Sequence, residues 1–318
     1  MIEIVAAPPY LTVQDLGRPG YRGQGVPAGG AMDPWALSVA NVLAGNAIDV
    51  AALEWSLGGG RIRWDRSRMF AVAGAAVDAT LDGVPIAMHR SYRAREGSVL
   101  SVNRFVSGRF AYLAVAGGID TPPVLSSRAT YLSARFGGLD GRLLRTGDRL
   151  ELGRAPMSAV SVGYTVPRDL EPRYDAAECG VVAGPHAALF SVGTWAVLTG
   201  TAFGVDAASD RMGYRLVGPV LEHRGDAALA SAPVCPGSVQ VPAGGRPIVL
   251  MADAPTVGGY PVIAVVCSAD LPLVAQRCPG ETIRFRVVSV EDAQRALRRR
   301  AVAVHTIAHL AQSGMAAG

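Results

Sequence analysis

The chain has 318 residues, which predicts two domains, and half of its residues are hydrophobic with few aromatics. Its formal net charge is only +4, and the basic residues are scattered except for the run 298–300, so we expect a solvated helix face there and no nucleic-acid site. No apolar run is long enough to span a bilayer and the N-terminus lacks a signal-peptide pattern, so we expect no membrane association and a cytoplasmic protein.

The basic residues are all arginine, and the sequence contains no lysine. This excludes a Schiff-base lysine, a P-loop lysine and a biotinyl-lysine within the chain. It also excludes the lysine-dependent amidase-signature hydrolases, and no Gly-x-Ser-x-Gly elbow is present. If ATP or biotin takes part in the reaction, another chain must carry the biotin, and the nucleotide must be held without the usual lysine.

The cysteines and histidines do not predict a metal site. The four cysteines include no CxxC pair, and the five histidines are spread along the chain. His305 and His309 are four residues apart on a predicted helix, but no HExxH frame accompanies them. We therefore expect no bound metal.

In chain order, a first strand at Ile2–Val5 is followed by a loop rich in glycine and proline that runs to Asp33. Asp33 and Pro34 are typical of a helix start and Gly45 of its end. For Asp33 two interpretations stay open, helix capping or a place in a binding site. Glu54 lies inside the next apolar strand, where a carboxylate is costly unless it is paired, so it is a second site candidate.

From residue 61 to residue 152, short apolar strands alternate with turns. Asp82-Gly83 predicts a hairpin turn, and separate strands are expected at Val99–Val102 and at 112–116. The glycine- and arginine-rich segment 137–149 is interpreted as strands and turns of a barrel. Residues 167–179 lack periodicity and predict a linker, which divides the chain into domains 1–172 and 173–318.

The segment Ser209–Leu216 carries two arginines, Arg211 and Arg215. A guanidinium group binds carboxylates bidentately, so these side chains suit an anionic ligand. They equally suit structural ion pairs with Asp210 or Glu222, and the sequence does not decide between the two.

The most informative stretch is 247–280, in which two apolar runs, Ile248–Met251 and Val262–Cys267, predict buried strands. The loop between them carries Asp253, Thr256, two glycines and Tyr260. It is interpreted either as a hairpin turn or as a site held by rigid strands. Tyr260-Pro261 predicts a tight turn with a cis or trans peptide bond. A C-terminal helix is predicted over 290–312.

Several motifs resemble one family, the C/D subunits of carboxyltransferases. Its members include the C subunit of 5-oxoprolinase, allophanate hydrolase subunit 2 and the biotin-dependent carboxyltransferase domain of urea carboxylase. The motifs are Thr12–Gly17, Gly30–Asp33, Ala52-Leu53-Glu54, Ser209–Leu216, Gln240-Val241-Pro242, Pro247–Asp253, Gly258–Pro261 and Ala275-Gln276. An acidic residue usual in this family after Gly184-Pro185 is absent here, so no role is carried onto His186.

The resemblance implies a mainly β fold of two cyclophilin-like β-barrel domains with a few short helices. It also implies a subunit of a heteromeric ATP-dependent 5-oxoprolinase, which opens 5-oxoproline to glutamate and acts on small amide or lactam substrates. The implied partners are a companion cyclophilin-like subunit (subunit 1 or B) and a third oxoprolinase subunit. ATP is then held together with the partner subunits, and biotin enters only on another chain.

Two other functions stay open. One is a biotin-dependent carboxyltransferase, or a hydrolase subunit for allophanate and other urea derivatives. The other is a non-catalytic regulatory module that sequesters a cyclophilin-like kinase-inhibitor partner. A peptidyl-prolyl isomerase is a weaker option that rests on fold alone.

For the enzyme, the resemblance and the residue types together predict a set of site residues. Asp253 and Tyr260 are the predicted catalytic residues, which position the substrate or move a proton. Arg211 and Arg215 are predicted anion clamps. The remaining predicted substrate-binding residues are Gln240, Gln276, Thr256, Asp33 and Glu54.

Overall fold

The computed structural model describes residues 1–156, 160–171, 174–176, 178–224 and 229–313. The chain separates into two compact units. The first unit comprises Met1–Arg18, Gly29–Pro172 and Ala301–Gly318, and the second comprises Pro19–Ala28 and Arg173–Arg300. The predicted domain boundary between residues 172 and 173 lies outside the described residues and stays a prediction.

The helix predicted after Asp33 is confirmed as α1 (Pro34–Ala44). The Asp33 side chain caps it by accepting a hydrogen bond from Ala36 N–H at 3.0 Å. At the other end, Gly45 adopts a left-handed φ of 85°, and its N–H closes the last turn on carbonyls of the helix. The capping residues at both ends therefore predicted the bounds of this helix correctly, because each acts on the local backbone.

The first unit is built on a large antiparallel sheet, to which nine strands of the described part contribute. The strands are β1 (Ile2–Ala6), β2 (Tyr10–Gln14), β3 (Ala52–Ser56), β4 (Gly60–Trp64), β5 (Arg68–Leu81), β6 (Val84–Pro85), β7 (Arg90–Ala94), β8 (Val99–Val115) and β9 (Arg149–Leu150). Their hydrogen-bonded order is β2-β3-β8-β4-β1-β9, and β5 pairs with β6, β7 and β8. The inward faces enclose a core around Ile4, Trp64 and Phe70.

One of these strands is longer than predicted. The sequence predicts separate strands at Val99–Val102 and 112–116, but the structure joins them into β8. The connecting residues mix polar and apolar side chains and are mostly exposed or half-exposed up to residue 109, and their backbone continues to pair with β5 across several register shifts. The strand therefore does not end where the first apolar run ends. The predicted hairpin turn is confirmed, because Asp82 and Gly83 both have positive φ between β5 and β6.

His89 is a half-buried histidine of the first unit whose protonation should set part of the pH dependence of stability. Its Nε2 accepts a hydrogen bond from Gly74 N–H at 3.3 Å, and burial lowers its pKa from 6.5 to about 4. The unfolded chain therefore takes up a proton below pH 6.5, whereas the folded chain does not until about pH 4. We expect the free energy of unfolding to fall by about 3 kcal/mol across this window.

The measurement is urea unfolding between pH 7 and pH 4 of the wild-type chain and of His89→Asn. Asparagine tolerates the left-handed φ of 55° that His89 adopts, and it does not titrate. The difference in stability between the two proteins should change over this pH window. Parallel stability curves would contradict the assignment of the effect to His89.

The second unit contains a second sheet, with eight strands among the described residues. The strands are β10 (Cys179–Ala183), β11 (Phe203–Val205), β12 (Gly213–Val217), β14 (Ser238–Gln240), β15 (Ile248–Leu250), β17 (Val262–Val266), β18 (Thr282–Ile283) and β19 (Phe285–Val287). Their order is β18-β11-β12-β15-β14-β17-β10-β19, and neighbours are antiparallel except β10 and β19. A separate two-stranded ribbon pairs β13 (Ala232–Pro233) with β16 (Val257–Gly258).

Both strands predicted in the stretch 247–280 are present as β15 and β17, but they do not form a hairpin. Strand β14 lies between them and pairs with each. The loop that joins them also contains β16, so it is partly ordered by a ribbon of its own. The simple hairpin interpretation is therefore wrong, because a strand from earlier in the chain occupies the position between the two runs.

Three helices complete the fold in the described residues, α2 (Val192–Gly200), α3 (Leu271–Ala275) and α4 (Val290–Ser313). The predicted C-terminal helix is thus confirmed, with Arg298 and Arg299 exposed on its surface. In the described part of the chain, no helix has an apolar stretch that could cross a lipid bilayer. The predicted fold class, mainly β with two barrel-like sheets and a few helices, is confirmed.

Candidate functional site

Two residues predicted for the site form a buried ion pair in the second unit. Arg211 precedes β12 and Asp253 follows β15, and they are 6% and 4% exposed. Arg211 Nε donates to Asp253 Oδ2 at 2.8 Å, and its Nη2 donates to Oδ1 at 2.9 Å. The Asp253 N–H also donates to the Arg211 carbonyl at 2.9 Å. The pair fixes the start of the loop that follows β15. The sequence suggested Asp210 or Glu222 as ion-pair partners of the two arginines and did not indicate Asp253.

Arg22 is tied to the same loop of the second unit. Its Nη2 donates to the Pro255 carbonyl at 3.0 Å and also to the Val234 carbonyl. It thereby joins the loop after β15 to the backbone that leads from β13. This role of Arg22 was not predicted, although an arginine within a glycine-rich loop is visible in the sequence as a candidate for contacts with backbone carbonyls.

Gln240 ends β14 and lies behind this loop. The residue is 5% exposed, and among the described residues its Nε2 has no hydrogen-bond partner. A Cβ added at Gly258 would lie 2.5 Å from that nitrogen, so the glycine permits the amide to reach the ribbon strand β16. The close approach that a glycine permits is made at Gly258 by the chain's own Gln240 side chain.

Tyr260 and Thr256 occupy the accessible part of the loop. Tyr260 is 46% exposed, and its peptide bond to Pro261 is trans, which decides the alternative left open by the sequence. Thr256 is half-buried, and its carbonyl accepts a hydrogen bond from Val234 N–H at 3.1 Å. The loop therefore presents a phenol to solvent while its backbone is held by hydrogen bonds.

Arg215 lies apart from Arg211, exposed on strand β12. It lines a cavity of about 280 Å³ together with Arg246, Asp206 and Pro242. Two guanidinium groups beside one carboxylate suit a small anionic ligand. The two predicted anion clamps are thus placed differently: Arg211 holds a carboxylate of the chain itself, and Arg215 faces a cavity.

Gln276 is buried at the end of α3, with 2% of its surface exposed. Its N–H donates to the Pro272 carbonyl at 3.0 Å, and the preceding carbonyl, of Ala275, accepts from Tyr214 Oη at 2.7 Å. The second of these hydrogen bonds attaches α3 to β12. The amide recognition proposed for Gln276 from sequence stays a prediction.

Asp33 and Glu54 lie together in the first unit, joined by Tyr112. Tyr112 Oη donates to Glu54 Oε2 at 2.7 Å and accepts from Asp33 N–H at 2.8 Å. Glu54 Oε2 also accepts from Met32 N–H at 2.9 Å. Burial, and then the charges of Glu54 and Asp33, raise the pKa of Tyr112 well above its ordinary value. Tyr112 therefore stays protonated and acts as a hydrogen-bond donor to a fully buried carboxylate.

The structure thus brings seven of the nine predicted residues together in two clusters, one in each unit, and places Arg215 and Gln276 outside both. In the second unit, Arg211, Asp253 and Gln240 hold a loop that presents Thr256 and Tyr260. In the first unit, Asp33 and Glu54 share the hydroxyl of Tyr112. No group of metal-ligating side chains with metal-site geometry occurs within the described ranges.

Comparisons with known proteins agree with the motifs found in the sequence. The family model described as carboxyltransferase domain, subdomain A and B, matches residues 24–287. The C subunit of the 5-oxoprolinase of Escherichia coli (strain K12) is 38% identical over 296 residues, which cover 93% of this chain and 94% of that protein.

Two larger proteins contain a similar region. The urea amidolyase of Saccharomyces cerevisiae is 31% identical over 96% of this chain but only 18% of its own length. The crystal structure of Kluyveromyces lactis urea carboxylase matches with a TM-score of 0.90 and 31% identity, over 96% of this chain and 29% of that one. The chain belongs to the carboxyltransferase domain family of subdomains A and B.

Proposed function

We propose that this chain is a subunit of a heteromeric ATP-dependent 5-oxoprolinase that opens 5-oxoproline to glutamate. One observation carries the proposal: the 38% identity to the C subunit of a 5-oxoprolinase extends over 94% of that protein. The match to urea amidolyase is weaker and involves 18% of a much longer chain. The proposed partners are a companion cyclophilin-like subunit and a third oxoprolinase subunit.

The absence of lysine supports a shared site. ATP-binding P-loops and biotin carriers each depend on a lysine, and this chain has none. The nucleotide is therefore held together with partner subunits, and a biotin-dependent variant of the reaction needs its biotin on another chain. The chain's own contribution is recognition of the small amide or lactam.

Within that site, the second-unit loop supplies the contact with substrate. The Arg211 guanidinium already engages both oxygens of Asp253. We assign to Asp253 the fixing of the loop, and to Tyr260, which is exposed shortly before β17, the contact with the reacting amide. Arg215 and Arg246, which share a cavity with Asp206, receive the substrate carboxylate. In this assignment, Gln240 holds the loop in place and Thr256 forms part of its surface.

Tyr260→Phe should lower the turnover of the reconstituted complex by about 10²-fold, a usual size for removal of a proton-transfer group. The substitution removes a single oxygen from an exposed side chain, so the melting temperature should not change. The assay is glutamate formation from 5-oxoproline and ATP. Tyr131→Phe, a half-buried tyrosine of the first unit, is the matched control. Equal turnover of Tyr260→Phe and wild type would remove Tyr260 from the reaction.

A panel of substrates and a binding assay distinguish the proposed function from the two alternatives, a urea-carboxylase-type enzyme and a regulatory module. Turnover of urea or allophanate with no turnover of 5-oxoproline would assign the chain to the urea-carboxylase branch. A stable, stoichiometric complex with the companion subunit that turns over none of these substrates would favour the regulatory module. Turnover of 5-oxoproline that consumes ATP is the result expected here.

A further inference from the structure

The first unit contains a cavity of about 760 Å³ that none of the predicted site residues lines. Three arginines, Arg135, Arg142 and Arg145, and one aspartate, Asp140, contribute to its wall. A volume of this size is typical of sites for small organic molecules. The glycine- and arginine-rich segment 137–149, which has no role in the proposed reaction, thus forms part of the lining of a cavity.

The backbone around this cavity adopts costly conformations. Arg135 and Asp140, neither of them glycine, have φ values of 54° and 56° in the left-handed region. A Cβ added at Gly141 would lie 2.0 Å from the Arg135 carbonyl carbon, so these two positions are packed backbone to backbone. Tyr131 and Phe136 exchange backbone hydrogen bonds across the turn that holds Arg135. Such strain is found at binding sites, where the surrounding structure holds it in place.

The three arginines differ in their ion-pair partners. Arg142 donates from Nη1 and Nη2 to the two oxygens of Asp148, at 2.7 and 2.9 Å, which orients its guanidinium group. Arg135 and Arg145 are exposed, and neither forms an ion pair with any carboxylate of the described residues. The cavity wall therefore carries three guanidinium groups, of which Arg142 is fixed by Asp148, and a single lining carboxylate, Asp140.

Part of the wall is apolar and is formed by Pro8, Pro9 and Leu132. We propose that this cavity binds a phosphate-bearing small molecule, with Arg135 and Arg145 on the phosphate oxygens and the apolar side chains against its organic part. Phosphate offers several charged acceptor oxygens to the forked donors of two guanidinium groups. The proposal stands independently of the oxoprolinase assignment, because it concerns binding and not turnover.

The test is calorimetric titration of the purified full chain with pyrophosphate, with ATP, and with citrate as a carboxylate of comparable charge. We expect saturable one-site binding of both phosphate ligands. Arg135→Gln/Arg145→Gln should weaken it by at least about tenfold, because two charge-assisted contacts are lost. Arg93→Gln, which removes an exposed arginine of β7 outside the cavity lining, should bind as the wild type does.

Three results would overturn the proposal. They are the absence of saturable binding of either phosphate ligand, equal affinity in the double variant and wild type, and binding of citrate as tight as that of pyrophosphate. Circular dichroism establishes that each variant is folded. If the double variant does not fold, the two single variants replace it, and each should lose part of the affinity.

Discussion

Asp253→Ala is expected to destabilise the chain by about 3–5 kcal/mol, because it leaves the Arg211 guanidinium buried without its carboxylate. Both side chains are almost completely buried, and two hydrogen bonds of 2.8 and 2.9 Å join them. Solvent cannot replace the lost partner at this position. The measurement is the free energy of unfolding in urea, monitored by circular dichroism.

The matched control is the double variant Arg211→Met/Asp253→Leu, which removes both charges at similar volume. It should be far closer to the wild type than either single variant, since a buried ion pair contributes little net stability when both partners are replaced together. If the single and double variants were equally unstable, the cost would come from packing and not from an orphaned charge. Asp253→Asn with full activity in the complex would remove any catalytic role of this carboxylate.

Glu54→Ala should destabilise the first unit by about 4 kcal/mol. Glu54 is completely buried and accepts hydrogen bonds from Tyr112 Oη and Met32 N–H, so its removal leaves two buried donors without an acceptor and opens a cavity. Thermal unfolding and urea unfolding both measure the effect.

Glu54→Gln separates the structural role of this residue from a role in substrate binding. The glutamine retains a carbonyl acceptor of the same size, so it should cost only about 1–2 kcal/mol. A Gln variant that is stable but has a raised KM in the reconstituted complex would support the predicted substrate contact of Glu54. A stable variant with unchanged kinetics would assign the residue to structure alone.

Features with local causes were predictable from the sequence. The bounds of α1 follow from Asp33, Pro34 and Gly45, which satisfy the free backbone groups at the helix ends. The turn at Asp82-Gly83 follows from residues that tolerate positive φ. The existence of β15 and β17 follows from two apolar runs. In each case a few neighbouring residues determine the conformation.

Features that depend on distant pairing were not predictable. Strand β14 separates β15 from β17, and no local pattern specifies which strands become neighbours. The Arg211–Asp253 pair joins residues 42 positions apart in the sequence. β8 continues through a mostly exposed segment because its partner β5 extends alongside it. All three features are set by residues that are distant in the sequence.

The candidate site shows the same division. The loop that carries Asp253, Thr256 and Tyr260 was predictable, since glycine, proline and a carboxylate between two apolar runs are visible in the sequence. The contribution of Arg22 to that loop was missed, because it is supplied from about 230 residues earlier in the chain. The separation of Arg211 from Arg215 was also missed, since spacing alone does not tell a buried side chain from an exposed neighbour.

The proposal that this chain is a subunit of an oxoprolinase is tested most directly by one reaction rate. The measurement is the initial rate of glutamate formation from 5-oxoproline and ATP by the proposed companion subunits, with this chain present and with it omitted. The proposal predicts ATP-dependent glutamate formation that requires the chain. An equal rate without the chain, or no glutamate from the complete set of subunits, would contradict it.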